Sequence, residues 1–253
     1  MSFRTEIKDG VAELVIDNPP VNALGTQAWA DFAAEIASVG ARGDVRCLLI
    51  RAEGRGFQCG VDVKELAADG SKIVDVNRGC YDSFAAVYDC PVPVISAVHG
   101  YCLGGAIGIA GSSDFVLASD DATFGLPEID RGAMGGASHA YRMFGMQEAR
   151  RMLLTGEPID AHEAYRLGGL LEVTSPQDLL PRARELARKI ADKSPKAVEL
   201  AKRALNGIEL IDLNKSYRYE QGFTLELYTS PDSQESRDAF VEKRDAKFDE
   251  KKD

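Results

Sequence analysis

The stretch VISAVHGYCLGGAIG, residues 94–108, is a short apolar run that reaches a glycine pair and continues as a helix of small residues. The first amides of a helix have no acceptor within the helix, and glycine lets a ligand oxygen approach them closely. The same order occurs earlier, where the strand-like residues 47–50 lead into a glycine-containing loop, residues 54–62, and then a helix-like segment. Two such turns can direct two N–H groups at one oxygen, so the pattern predicts an anion pocket.

Composition limits the class of protein. The chain has 253 residues, 45% of them hydrophobic and 28% charged, which suits one large soluble domain or a domain with an appendage. No apolar run approaches the roughly 18 residues of a membrane span, and the N-terminus MSFRTE has no apolar signal core, so we expect a cytoplasmic protein. The net charge of −10 argues against a nucleic-acid partner. Five cysteines without a C-x-x-C pair indicate reduced thiols rather than a disulfide framework.

The N-terminal half alternates between strand and helix patterns. Residues 3–16 alternate as strands do and predict a hairpin that turns at Asp9-Gly10. Thr26 is predicted to cap a helix that carries Trp29 and Phe32 on one stripe. Because the order strand, glycine loop, helix recurs near residues 94–110 and again after 115–118, we predict an α/β core of repeated ββα turns.

From about Gln147 the pattern becomes helical. Asp160 and Glu163 form a capping box, and Ser194 is a cap followed by Pro195 at the first helical position. A dense apolar cluster further on predicts either core or a subunit interface, with core favoured for a monomer. Its members are Tyr217, Tyr219, Phe223, Leu225, Leu227 and Tyr228.

Three further motifs do not lead to a function. The glycines at 54, 56 and 60 are spaced one residue too far for a dinucleotide fingerprint, and no phosphate loop is present. The Ser138 region imitates a nucleophile elbow but lacks the strand that must precede one. His162-Glu163 lacks the second histidine of a zinc helix, so no metal site is expected.

Several segments together resemble the crotonase (enoyl-CoA hydratase/isomerase) superfamily over nearly the whole length. They are NPPVNAL at 18–24, FQCGVD at 57–62, LGG at 103–105, FGLPE at 124–128 and LTGEPIDAHEA at 154–164. The resemblance implies a spiral of ββα repeats in residues 1–194 and a C-terminal helical trimerisation region in residues 195–253. It also implies acyl-CoA thioester substrates, no cofactor beyond the coenzyme A of the substrate, and a homotrimer or a dimer of trimers.

The resemblance also assigns roles to individual residues. The family's oxyanion amides fall on Val61 and Gly105, which would hold a thioester oxygen as it becomes an enolate. Such preorganised donors are what makes an α-carbanion accessible, and losing one typically costs ~10²–10³ in rate. Glu128 falls on a catalytic glutamate. The backbone that contacts coenzyme A falls on Ala23, Val61, Asp62, Val63 and Lys64, and Lys64 is either a phosphate contact or a solvated helix lysine.

One departure from the family pattern bears on the reaction. Hydratases of the family use two glutamates, and the first of these positions is Gly108 here. Addition of water is best served by two groups, so a lone Glu128 makes simple hydration a poor fit, whereas one carboxylate suffices for proton shuttling. Asp130 is a candidate second acid or a partner of Arg131, and His139 is a candidate polarising donor or a structural residue.

Two segments are similar to a narrower group within the family. SDDATFGLPEIDRGA at 119–133 and SYRYEQGFT at 216–224 resemble an actinobacterial steroid-catabolic subgroup, which opens ring D of a bicyclic indene-carboxyl-CoA (HIEC-CoA) during cholesterol breakdown. This resemblance implies hydrolysis of a C–C bond with Glu128 as acid and base. The alternatives are a Δ3,Δ2-enoyl-CoA isomerase or enoyl-CoA hydratase, and a catalytically silent acyl-CoA-binding subunit.

Overall fold

The computed structural model describes residues 2–209 and 212–247, and its strands form a six-stranded and a three-stranded sheet. The larger sheet contains, in spatial order, β1 (Phe3–Lys8), β2 (Val11–Ile16), β3 (Cys47–Ala52), β4 (Val94–Val98), β6 (Phe115–Ser119) and β9 (Glu172–Thr174). Within this sheet β1 and β2 pair antiparallel, and the other neighbouring strands pair parallel. The smaller sheet contains β5 (Tyr101–Leu103), β7 (Thr123–Gly125) and β8 (Ile159–Asp160).

Eleven α-helices lie within the described residues, and a 3₁₀ turn, Pro127–Arg131, precedes the fifth. They are α1 (Thr26–Gly40), α2 (Val63–Ala68), α3 (Ile73–Tyr88), α4 (Gly105–Ser112), α5 (Ala137–Phe144), α6 (Met146–Thr155), α7 (Ala161–Arg166), α8 (Leu179–Ala191), α9 (Pro195–Ile208), α10 (Leu213–Tyr228) and α11 (Pro231–Glu242). In the same part of the chain, no helix has the length and apolar character needed to cross a bilayer.

The predicted ββα repeats are present. β4, β5 and α4 make one repeat, and β6, β7 and α5 make another, with the 3₁₀ turn inserted before α5. β3 begins an earlier copy, in which the short second strand is reduced to a parallel bridge between Gln58 and Cys102. The second element of each repeat therefore joins the smaller sheet, and the α/β fold class is confirmed.

The four inner strands of the larger sheet, β2, β3, β4 and β6, are buried on both faces, as is usual for parallel strands. Buried side chains of one face pack on α8 through Leu179, Ala183 and Ala187. The opposite face packs on the main core, which includes Trp29 of α1 and Phe84 of α3. The sheet is thereby a rigid platform for the loops at its edge.

The local predictions at the N-terminus had mixed outcomes. The hairpin turns at Asp9 and Gly10 with φ of 51° and 76°, as a two-residue turn of this type requires. The Thr26 cap was wrong, because Gly25 is the N-cap and makes no side-chain bond. The carboxylate of Glu65 instead accepts from the Thr26 amide at 2.9 Å and from its hydroxyl at 3.0 Å. A distant residue thus replaces the local cap.

The C-terminal third is mostly helical, as predicted, with two exceptions. The Asp160 and Ser194 side chains accept from backbone amides at the starts of α7 and α9, as expected of caps. β8 and β9 are short strands that the helical pattern does not predict. The division of the chain at residue 194 stays a prediction. Within the predicted C-terminal region, residues 210–211 and 248–253 lie outside the described part.

The apolar cluster of α10 is split between interior and surface. Tyr217 is buried, whereas Tyr219 and Phe223 are 74% and 44% exposed. Neither interpretation, core or interface, holds for all of its members.

Candidate active site

A cavity of about 250 Å³ lies where the glycine turns meet the C-terminal helices. Its walls come from the loop before α2, the turn between β5 and α4, the 3₁₀ turn, and parts of α3, α10 and α11. The lining is mainly apolar, and it contains seven residues that the sequence nominated. These are Ala23, Val61, Asp62, Val63, Lys64, Gly105 and Glu128.

The two glycine turns touch each other through their backbones. Gly60 and Gly104 have φ of 81° and 61°, a region that residues with side chains rarely adopt. A Cβ at Gly60 would lie 3.2 Å from the amide nitrogen of Gly105, and one at Gly105 would lie 3.6 Å from Cα of Gly60. Glycine at these positions therefore permits the two main chains to approach.

Two backbone amides at this contact have no protein acceptor among the described residues. Leu24 forms a parallel bridge with Val61: the Leu24 amide donates to the Gly60 carbonyl at 3.0 Å, and the Asp62 amide donates to the Leu24 carbonyl at 2.9 Å. Because successive amides of an extended segment point to opposite sides, the Val61 N–H points away from Leu24. Gly105 is the first residue of α4, where no intrahelical acceptor exists. Both residues also line the cavity.

Gln58 holds the first turn in place and was missed in the sequence. It is fully buried, its Nε2 donates to the Gly60 carbonyl at 2.8 Å, and its Oε1 accepts from the Gly60 amide at 2.8 Å. Its own backbone bonds to β5 through Tyr101 and Leu103 at 3.2 and 3.1 Å. One buried amide thus fixes the loop relative to the strand that leads into the second turn.

Glu128 lies in the 3₁₀ turn and directs its carboxyl group at the second glycine turn. A side chain at Gly104 would collide with Glu128 Oε1, and Oε2 is buried without a hydrogen-bond partner. Burial raises the pKa of Glu128 to about 8, against the opposing charge of Arg131. A carboxyl group whose pKa lies near neutral pH can both accept and return a proton.

Asp130 and His139, the candidate second acid and the candidate polarising donor, do not line the cavity. Asp130 is exposed beside Gly156 and forms no ion pair with Arg131. His139 is 1% exposed, its ring centroid is 4.9 Å from that of Phe84, and burial lowers its pKa to about 3. A neutral ring packed between aromatic side chains fits the structural alternative for His139.

The residues assigned to coenzyme A are near one another, at the start of α2 and the loop facing it. The Asp62 carboxylate accepts from the Lys64 amide at 3.0 Å and caps the helix, so its side chain has a structural use. The Ala23 carbonyl accepts from Asn18 at 2.6 Å. Lys64 is exposed and forms no ion pair within the described residues, so its ammonium group is free at this wall.

The position of the absent glutamate is filled by another side chain. A Cβ at Gly108 would overlap the ring of Phe84, which itself lines the cavity. Phe84 is 2% exposed and packs edge-on against Trp29 with 5.7 Å between ring centroids. The site therefore has no room for a carboxylate from residue 108 while Phe84 keeps this place.

Tyr217 lines the cavity although the sequence marked it only as part of the apolar cluster. It is 6% exposed, and its ring lies 5.1 Å from that of Phe84. Its helix is anchored by Glu220, whose carboxylate accepts from the amides of Ala137 and Ser138 at 2.9 and 3.1 Å. No local sequence signal distinguishes such a residue from core, since its place depends on packing between α3, α5 and α10.

The chain is similar to known proteins over most of its length. A family model described as enoyl-CoA hydratase/isomerase matches residues 6–251. Proteins of Mycobacterium tuberculosis and Rhodococcus jostii, both named (7aS)-7a-methyl-1,5-dioxo-2,3,5,6,7,7a-hexahydro-1H-indene-carboxyl-CoA hydrolase, are each 46% identical to this chain. The match to the Mycobacterium tuberculosis protein covers 94% of this chain and 98% of that protein. The match to the Rhodococcus jostii protein covers 92% of this chain and 92% of that protein. An enoyl-CoA hydratase/isomerase structure from Xanthobacter autotrophicus has a TM-score of 0.89 at 27% identity, covering 96% of this chain and 93% of that one.

Proposed function

The chain belongs to the enoyl-CoA hydratase/isomerase family, and from this membership we propose that it hydrolyses a C–C bond in the ring of a cyclic keto acyl-CoA from steroid degradation. The names of the two 46% identical relatives support the substrate class, since both are hydrolases of a dioxo-indene-carboxyl-CoA. The observation that carries the proposal is the buried, unpartnered oxygen of Glu128 in the cavity that Val61 and Gly105 also line.

The proposed reaction uses one carboxylate and two amides. Ionised Glu128 takes a proton from water, and the water oxygen adds to the ring ketone. The adjacent C–C bond then breaks, and its electron pair enters an acceptor system whose thioester oxygen is held by the Val61 and Gly105 amides. Glu128 returns the proton to the carbon, so that one water is consumed and a carboxylic acid is formed, which ionises at neutral pH. Coenzyme A stays attached to the acyl group, and no further cofactor is required.

A panel of acyl-CoA thioesters that includes cyclic 1,3-dicarbonyl compounds tests this reaction. Ring opening adds the mass of one water, releases one proton per turnover in weak buffer and liberates no free thiol. Hydration of a double bond also adds water but releases no proton, and isomerisation leaves the mass unchanged. We expect ring opening by the native protein and a rate lower by about 10²–10⁴ for Glu128→Gln. Brisk hydration of crotonyl-CoA with the cyclic thioesters left intact would refute the proposal.

A Δ3,Δ2-enoyl-CoA isomerase is the second candidate, because it requires a single carboxylate and Glu128 is available. Formation of a conjugated thioester from a 3-enoyl-CoA, followed by ultraviolet absorbance, identifies this activity.

A hydratase with two carboxylates is disfavoured by Phe84 in the space at Gly108. A silent acyl-CoA-binding subunit is disfavoured by the raised pKa of Glu128, and Glu128→Gln with unchanged turnover would revive it.

We further propose that the protein is a homotrimer or a dimer of trimers in the cytoplasm. Support comes from exposed apolar side chains on α9 and α10, the region to which the family resemblance assigns trimerisation. Ile208 and Tyr219 are each 74% exposed in the single chain.

A further inference from the structure

Arg131 is a cation that faces the cavity without an acidic partner. It ends the 3₁₀ turn that carries Glu128, is half-buried, and lines the same cavity. Its Nη1 donates to the Pro127 carbonyl at 2.7 Å, and its guanidinium carbon lies 4.8 Å from the ring centroid of Phe240, another lining residue. No ion pair involves Arg131 in the part of the chain that the structure describes. Since a guanidinium has five N–H donors, most of its capacity is left for a ligand.

A second guanidinium nearby adds to the positive charge. Arg237 of α11 is 3% exposed and lies 4.4 Å from the ring centroid of Tyr228, which also lines the cavity. Among the described residues it bonds to the neutral oxygens of Ser233 and Gln234, and its Nε is buried without a partner there. Burying a cation without a counter-charge is costly. Arg131 lines the cavity itself, and Arg237 lies against the lining ring of Tyr228, so the two positive charges favour an anionic group in the ligand.

The proposed ring opening creates such a group. Water supplies the oxygen that bonds to the former ketone carbon, the ring C–C bond breaks, and the carbon that receives its electron pair takes a proton. The acid then ionises, so each turnover leaves one new carboxylate tethered to the acyl-CoA. Isomerisation and hydration create no charge.

We infer that Arg131 binds the acyl-chain carboxylate formed by ring opening, with Arg237 adding to the local positive charge. This inference rests on the proposed function. A planar guanidinium matches a carboxylate with two parallel hydrogen bonds. The placement favours the acyl group over the coenzyme A phosphates, because Arg131 follows Glu128 by one turn whereas Lys64 lies on the segment assigned to coenzyme A.

Binding of two probes without turnover tests this role. Glutaryl-CoA carries a terminal carboxylate, and pentanoyl-CoA has the same number of acyl carbons without it. We expect calorimetry to show that the native protein binds glutaryl-CoA about tenfold or more tightly than pentanoyl-CoA. Arg131→Gln should reduce the ratio to about one and leave pentanoyl-CoA binding unchanged, whereas Arg131→Lys should keep part of the preference.

A matched control and two contrary outcomes complete the experiment. Arg218 also lies on an aromatic ring, 4.4 Å from the centroid of Tyr81, but is exposed and outside the cavity, so Arg218→Gln should keep the native ratio. Equal weakening of both probes by Arg131→Gln would assign the arginine to a coenzyme A phosphate and overturn the inference. Absence of a charge preference in the native protein would overturn it as well. Ring opening measured alongside such results would leave the proposed function standing. A charge preference without ring opening would refute the proposed function, and with it the product carboxylate as the ligand, while Arg131 would remain a carboxylate-binding residue.

Discussion

At the scale of single residues, the chemistry depends on the protonation of Glu128. Burial raises its pKa to about 8, so the ionised form that accepts a proton from water is a minority at neutral pH. We expect kcat/KM to rise about tenfold per pH unit below 8 and to level off above it. A profile measured from pH 6 to 9 checks this, with Glu128→Gln as the variant that should lack the dependence. A flat profile between pH 6 and 8 would contradict the assigned role.

The same carboxyl group should also affect stability. Because its pKa is raised on folding, the folded chain holds a proton that the unfolded chain releases between about pH 4.5 and 8. The free energy of unfolding therefore decreases as pH rises through this window. Glu128→Gln removes this contribution and should be more stable than the native chain at pH 7, by up to about 3 kcal/mol. Urea unfolding at pH 5 and pH 8 measures the difference, and parallel behaviour of the two proteins would show that Glu128 is not buried as described. Burial also raises the pKa of Glu220, but this residue is present in both proteins, so its contribution cancels in the difference between their free energies of unfolding.

At the scale of elements, the contact between the two glycine turns is open to a matched test. Gly60 and Gly54 have φ of 81° and 85°, so alanine strains the backbone at either position. Only Gly60 abuts the second turn, since a Cβ at Gly54 would meet nothing within 4 Å. We expect both variants to lose about 1 kcal/mol of stability, but only Gly60→Ala to lose about 10²–10³ in turnover. Equal turnover in the two variants would show that the contact between the two turns is not needed for catalysis.

Sequence reasoning succeeded where an element is determined by its own residues. The hairpin at Asp9-Gly10 and the caps at Asp160 and Ser194 follow from local turn and capping chemistry. It failed at Thr26 because the acceptor for that helix start is Glu65, 39 residues away.

The candidate site divides in the same way. The glycine turns and Glu128 lie in motifs that can be identified along the chain, and all of them line the cavity. Asp130 and His139 do not line it, because spacing does not reveal which side of a 3₁₀ turn or helix faces a cavity. Phe84 and Tyr217 could not be found, since their roles depend on contacts between helices far apart in sequence.

At the scale of the whole molecule, the C-terminal helices connect the site to assembly. α10 contributes Tyr217 to the cavity while exposing Tyr219 to solvent in the single chain. We expect light scattering to give a mass three or six times that of one chain, and Tyr219→Asp or Ile208→Asp to lower it. Val74 on α3 is also an exposed apolar residue, so Val74→Asp serves as the control and should leave the mass unchanged. A native mass equal to one chain would contradict the assembly.

The overlap between Phe84 and position 108 constrains how this lineage can change its reaction. A glutamate at 108 alone meets the phenyl ring, and removing the ring alone leaves a void beside Trp29 and Tyr217. Each single step is therefore deleterious, and the two substitutions are not additive. Evolution of a two-carboxylate site from this one would have to cross a fitness valley, because both substitutions must occur together.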